Sequence, residues 1–466
     1  MNTATIRRFA AQTSAFAFAF VFAFAFAFVV AIVIASSIAV AGAGDWPSWR
    51  GPHENGASDE ATLPTKFSRT ENVLWKADMP GPAASTPIVL GDRVFLSTTD
   101  EANKKLLAMC LDRKTGKELW TKRVAEGFQQ DDKSNLASPS PATDGKVVVF
   151  LYGTGDLVAF DLDGNEKWKR NLQNDYGKFA FLWTFSTSPL LYDGVLYMQV
   201  LQRDVAFKAW GREVGETDKP NESYLLALNP ADGKELWRQV RPSKANAESL
   251  EAFTTPIPFT HDGRAEILVA GGDCLTGHDP KTGEELWRWG TWNPERIGHW
   301  RLVPSPTTGD GIILACAPKK SPVYAVKAGG KGTLTDEQAL AWVSDDIDDD
   351  VSSDVSTPLF YKGHFYVMNS DRNSLACVEP KTGKVLWHER LPSATKIESS
   401  PTAGADKIYV QSHAGDVYVV KAGDKFELLH EVRMTEKQER DIRASISLAS
   451  GCLFIRNHKE LFCIGQ

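Results

Sequence analysis

Six cysteines, nine histidines and one acidic run are the residues of this 466-residue chain most able to do covalent or metal chemistry. Their spacing argues against most of it. GxSxG, HExxH, a phosphate-binding glycine loop and CxxCH are all missing, so the nucleophile elbow, the zinc protease site, the nucleotide cradle and haem attachment lack their sequence. The run Asp345-Asp346-Ile347-Asp348-Asp349-Asp350 supplies oxygen ligands in number, but it lacks the alternating Asx spacing and the glycine of a calcium loop. It reads as a solvated acidic loop, and no metal site is assigned. The histidines are scattered, and only His299 has rich company. The stretch from Trp289 to Arg301 holds the indoles of Trp289, Trp292 and Trp300 and the guanidiniums of Arg296 and Arg301. Such groups hold sugar rings, planar groups or anions and do not make or break bonds, so no catalytic residue is assigned.

The composition narrows the partners. With 42% hydrophobic and 24% charged residues the chain can bury a large core, which excludes disordered and fibrous classes. Its net charge of −7 argues against nucleic acid, which calls for a surplus of cations.

Any candidate residue must be held by the elements around it, and here repeats define those elements. One phrase recurs: a Ser/Thr-x-Pro opening, a Gly turn, two β-rich stretches, then Thr-Gly-Lys or Asp-Gly-Lys with a Trp four residues beyond the Gly. Its clear endings are Gly116 to Trp120, Gly233 to Trp237, Gly283 to Trp287 and Gly383 to Trp387, with Gly164 to Trp168 a fifth. Trp342 ends a degenerate copy whose turn has grown into 328–338, and Leu429 takes the Trp position of another. The opening prolines, Pro87, Pro141, Pro189, Pro256, Pro306, Pro358 and Pro401, follow one another at 43 to 67 residues. An eighth opening, at Ala444-Ser445-Ile446, has no proline. Each unit reads as four short strands, for example 85–90, 93–98, 105–111 and 117–123.

A period near 50 with four strands per unit predicts an all-β fold, a β-propeller. The last unit, 444–464, stops after three strands, while an orphan Trp strand, Asn72 to Lys76, precedes the first opening. Placing that N-terminal strand on the outside of the last unit completes eight blades and removes open edges, with seven as the alternative if the final unit packs differently. The domains are then 1–43, a leader 44–71 and a propeller 72–466.

On these motifs the repeat resembles the pyrroloquinoline-quinone (PQQ) repeat of quinoprotein alcohol dehydrogenases and of the outer-membrane assembly lipoprotein BamB. The stretch Asp45-Trp46-Pro47-Ser48-Trp49-Arg50-Gly51-Pro52 resembles the leader of secreted bacterial PQQ-like propellers. The resemblance implies eight blades and tryptophans that dock one blade on the next. It does not fix a function, because propellers host many activities. The dehydrogenases carry adjacent cysteines beside the quinone, a calcium on acidic and amide side chains, and a catalytic Asp. No two cysteines are adjacent here, so no cofactor is expected and PQQ with calcium is disfavoured.

Three of the cysteines share a repeat position. Cys110 and Cys377 lie six residues before Gly116 and Gly383, and Cys463 takes the same slot in the last unit. Those slots belong to different sheets, which makes them small buried thiols. Cys452 and Cys463 face each other if a hairpin turns at Asn457-His458, and whether they bond stays open.

In a propeller, the loop from one blade's outer strand to the next blade's inner strand crosses one face and lines the axial funnel, where ligands bind. This reasoning nominates Trp292, Arg296, His299, Trp300 and Arg301, together with Asp354, Lys396, Glu398 and Arg443, as funnel or ligand-binding residues. Gln129, Asn135, Tyr176 and Trp183 belong near the same face. The polar insertion Gln202 to Ser223 reads as a solvated excursion with room for a partner contact.

The N-terminus addresses the protein. Arg7 and Arg8 precede an uncharged stretch, 9–35, and small residues at Ala39-Val40-Ala41 and Ala41-Gly42-Ala43 precede Asp45. This is a signal peptide, with an uncleaved membrane anchor as the alternative because the apolar run is long. The expectation is a periplasmic or secreted binding or scaffold module of the bacterial cell envelope, meeting an envelope protein, a polar small molecule or a carbohydrate, and a membrane only if the anchor is uncleaved. The alternatives are a PQQ-dependent or other quinone-type oxidoreductase and an envelope carbohydrate-active or other funnel-site enzyme.

Overall fold

A computed structural model describes residues 44–344, 351–436 and 439–465. The expected signal peptide and the acidic run 345–350 lie outside them. The described residues form eight sheets of four antiparallel strands in a ring, one of them extended by a fifth strand, which is the expected eight-bladed propeller. Blade 1 has strands Ile88–Leu90, Arg93–Asp100, Lys105–Asp112 and Glu118–Glu126, ordered from the axis outward. Blades 2 to 7 repeat the order over 142–171, 190–240, 257–289, 307–343, 359–390 and 402–433. Blade 8 takes three strands from 447–464 and its outer strand from Val73–Asp78, with Trp75 opposite Cys463 and Asp78 opposite Glu460. The first and last strands of the propeller therefore close the ring in one sheet. Among the described residues no helix is long and apolar enough to cross a membrane.

The repeat residues meet between blades. A Cβ placed on Gly116 would lie 2.5 Å from the Trp75 ring, whose Nε1 donates to the Arg113 carbonyl at 2.7 Å. The glycine is required because the previous blade's indole occupies the space a side chain would need, and its φ of +69° suits glycine as well. Trp120, Trp168, Trp237 and Trp342 sit on Gly164, Gly233, Gly283 and Gly383 in the same way. Trp287 departs from this pattern. The turn after it has grown, Gly332–Thr333 pairs in parallel with Trp287–Arg288, and the indole N–H turns to Glu266 Oε2 at 2.6 Å.

A second joint runs around the axis. The residue at the proline-preceding position of each repeat donates its backbone N–H to the hydroxyl of its counterpart in the next blade. Thr86 bonds to Ser140, Ser140 to Ser188, Ser188 to Thr255 and Thr255 to Ser305, at 2.8–3.2 Å. Ser305 continues to Thr357, then Ser400, then Ser445, whose N–H returns to Thr86 Oγ1 at 3.2 Å. Separate sheets leave these N–H groups without ladder partners, and the hydroxyls satisfy them.

Two details differ from expectation. The cysteines are the small buried thiols expected, all six of them free, but Cys463 stands opposite Phe454 in the ladder and not opposite Cys452. The hairpin turns one residue later, at His458-Lys459, because Asn457 Oδ1 accepts the N–H groups of Lys459 and Glu460 at 2.9 and 2.7 Å. The insertion is also no loose excursion. It holds a hairpin of Phe207–Ala209 and Arg212–Val214, and its base is stitched down by Gln202 Oε1 on the Ala180 N–H and by Arg203 against Glu251 at 2.5 Å.

Candidate functional site: a blind axial funnel

Because strands alternate in direction, the blade-to-blade loops and the turns between second and third strands emerge on one face, and the remaining turns emerge on the other. The leader crosses that other face. Trp46 exchanges backbone hydrogen bonds with Val89 at 2.8 and 2.9 Å, Pro47 accepts the Thr143 N–H, and Ser58 donates to the Ala403 carbonyl at 2.7 Å. It thereby spans blades 1, 2 and 7 at their inner strands. Arg50 is fully buried and donates to the carbonyls of Pro358, Pro401 and Asn55 at 3.0–3.2 Å. Burial lowers its pKa to about 9, while the nearby Glu54 opposes the shift. Trp49, beside it, lines the axial cavity from the side the leader crosses.

The void has a neck and a mouth. The neck, about 130 Å³, is lined by Trp49 and by hydroxyls of the ring, among them Ser140, Ser188, Thr255, Ser400 and Ser445. The mouth, about 270 Å³, is bordered by Lys133, Trp183, Arg301, Lys319, Asp354 and Lys396. Lys133, Ser134, Ser186, Phe253, Val303 and Glu398 line both parts, so the two are continuous.

Most mouth charges are paired. Asp354 accepts the Lys319 N–H at 2.9 Å and lies 3.5 Å from its ammonium. Lys396 donates to Asp371 at 2.7 Å, a bond that raises its pKa against the opposing effect of burial. Arg301 lies 3.6 Å from Glu248. Glu398 meets His413 Nε2 at 2.8 Å and accepts from Arg443 Nε at 2.9 Å. Lys133 has its ammonium 5.7 Å over the Trp183 ring and no carboxylate partner among the described residues, which leaves the lining with five cations against three carboxylates. Burial works to raise the Glu398 carboxyl, but His413 and Arg443 overcome it and hold it at about 2.

A depressed carboxylate contributes stability above its unfolded value, near 4.5, and loses it as pH falls toward 2. Its share of the acid-side loss is roughly 3 kcal/mol. Glu398→Gln is therefore expected to flatten the fall in stability between pH 5 and pH 2, as read by chemical denaturation across that range. A wild-type slope in the variant would contradict the pairing.

The structure brings together part of the expected set. Arg301, Asp354, Lys396 and Glu398 line the mouth, and Arg443 lines the neck. The rest of the 289–301 stretch does not reach the void. Trp292 is buried against Trp289, 5.3 Å away, and Tyr324, while Trp300 is half-buried against the same core. Arg296 and His299 are exposed and line neither part. Asn293 turns the loop back on itself, holding the Ile297 N–H at 2.8 Å and Asp273 at 2.8 Å, so only its end arrives at the axis. Tyr176 also lies away from the void, against Arg170 and Glu235. Sequence reasoning missed Lys319 and Asp371, which sit on turns between second and third strands, and Lys133 and Trp49. The signal for the turn residues was their shared face with the blade-to-blade loops.

None of the cysteines lines the funnel, and its three carboxylates are each tied to a cation. Among the described residues no group of three or more His, Cys, Asp or Glu is placed to hold a metal ion.

Fold and void together define a PQQ-like eight-bladed propeller with a charged axial void. The family described as outer membrane protein assembly factor BamB matches residues 58–205, 221–349 and 345–466, and the chain belongs to that family. No curated protein matches it. Among solved structures, BamB from Moraxella catarrhalis is similar at 12% identity, with 84% of this chain and 99% of that one covered and a TM-score of 0.56. A europium-containing methanol dehydrogenase is 11% identical over 89% and 90% of the two chains, with a TM-score of 0.64. The quinohemoprotein alcohol dehydrogenase from Comamonas testosteroni is 12% identical over 92% and 82%, with a TM-score of 0.60. At such identities the likeness is one of fold.

Proposed function

We propose that the protein is an exported binding or scaffold module of the bacterial cell envelope whose funnel takes a polar ligand, or the polar tip of an envelope protein, bearing carboxylate, phosphate or sugar hydroxyls. The observation that carries this reading is the axial void, lined on the leader's side by Trp49 and bordered at its mouth by Lys133, Arg301, Lys396 and their neighbours. Family membership supports the envelope setting. The donors and acceptors of the mouth suit recognition.

The experiment uses the mature protein, expected to begin within a few residues of Asp45 by N-terminal sequencing of membrane-free envelope material. A screen of sugar phosphates, dicarboxylates and oligosaccharides should yield a ligand. Arg301→Ala should weaken its binding by about 1–3 kcal/mol, with little change in melting temperature. An intact chain found only in membranes would contradict export. Loss of stability with binding unchanged would make Arg301 a structural plug. Dye-linked alcohol oxidation by the purified protein would favour the oxidoreductase reading instead.

A further inference from the structure

The insertion in blade 3 folds its hairpin over the loop that leads from blade 2 into blade 3 and encloses a groove of about 300 Å³ outside the funnel. Trp210 stands at the hairpin tip with φ +47°, followed by Gly211 at +77°. A left-handed backbone is disfavoured for a side chain with a Cβ, and two-residue turns of this kind favour Asn-Gly. Yet an indole occupies the position and is 59% exposed. Its ring lies 5.6 Å from that of Trp183 at 62°. Trp183 is fixed in turn by its Nε1 donating to Glu248 Oε1 at 3.1 Å. The floor is apolar, formed by Phe179, Phe181, Leu182 and Ala209. Around it stand Gln129, Arg212 and Glu213, whose side chains have no hydrogen-bond or ion-pair partner among the described residues. The funnel differs, since most of its charges are already paired.

We infer that this groove is a carbohydrate site, taking a pyranose ring of an oligosaccharide against Trp183 and Trp210. Two indoles set at an angle present a corner to the C–H faces of a saturated ring. The rim offers an amide, a guanidinium and a carboxylate, with the Lys178 ammonium beside them facing Glu216 at 4.0 Å, so donors and acceptors of both signs are at hand for the hydroxyls of a sugar. An aliphatic peptide side chain in the same place would desolvate those three groups without pairing them. Trp183 and Thr184 also line the funnel mouth, so a longer sugar chain has a continuous surface toward the axis, although the groove's assignment does not rest on the funnel holding a ligand.

The test is titration of the mature chain, by calorimetry and tryptophan fluorescence, with tetramers of β-1,4-linked N-acetylglucosamine, β-1,4-linked glucose and α-1,4-linked glucose. At least one should bind with Kd below about 1 mM. Trp210→Ala should weaken that binding by about tenfold or more and Arg212→Ala by several-fold, while Trp210→Phe retains much of it. Lys281→Ala, on an exposed outer turn of blade 4, should leave it unchanged. Trp210 is exposed, so an unchanged circular dichroism melt verifies that its variants fold. No binding by any tetramer, or binding that survives Trp210→Ala, would overturn the proposal, as would binding abolished by Lys281→Ala alone. Failure here leaves the funnel reading intact, because the Arg301 variant tests that separately.

Discussion

Trp75→Ala is expected to cost about 3–5 kcal/mol of stability, the scale of a large aromatic truncation in a packed core. The indole belongs to the strand that closes the ring, packs 6.1 Å from Phe454, covers Gly116 and donates to the Arg113 carbonyl. Its loss therefore loosens both the eighth blade and its joint with the first. Deleting 73–78 should cost more, because the strand Glu460–Ile464 then loses a ladder partner and becomes an open edge. Urea unfolding followed by circular dichroism reads both changes. A Trp75→Ala variant within about 1 kcal/mol of wild type would contradict closure by this strand.

The second large effect is expected at Arg50. Arg50→Met removes three hydrogen bonds from buried carbonyls of the leader and of blades 6 and 7, and it strips Glu54 of a counter-charge. Burial already raises the Glu54 pKa to about 7, against the pull of Ser48 and Arg50, so without the guanidinium it should rise further. Breaking such a buried arrangement costs about 3–5 kcal/mol. The expected signature is local: protease cleavage within 44–60 at concentrations that leave wild type intact, and a lower melting temperature. A variant as resistant as wild type would show that the leader is held without its arginine.

The fold was legible because its joints are written as spacing. Each repeat Trp and the Gly four residues before it serve two neighbouring interfaces, so the pair recurs visibly, and counting its copies together with the orphan strand at Trp75 yields eight blades. The pre-proline hydroxyls were visible as part of a motif, but their pairing around the axis depends on all eight blades meeting. The site was half legible. Loop order placed Arg301, Asp354, Lys396, Glu398 and Arg443 on the correct face, but loop conformation has no period to read. Nothing in the composition of 289–301 distinguished Trp292, which enters the core, from Arg301, which reaches the void. Lys319 and Asp371 lie on turns within a blade, whose length and sequence do not show that they reach the axis. The Cys452–Cys463 register slipped because a single side chain, Asn457, decides where that hairpin turns.

Chemical labelling of a thiol in the funnel most directly tests whether the void opens at one face and favours anions. Ser186 lines both neck and mouth, and the six native cysteines are buried, so Ser186→Cys supplies a single accessible thiol of nearly unchanged size. With five cations against three carboxylates lining the void, an anionic methanethiosulfonate should modify it several-fold faster than a cationic one of similar size, and the preference should shrink at high salt. Equal rates, a faster cationic reagent, or a thiol that neither reagent reaches would contradict an open, anion-favouring funnel.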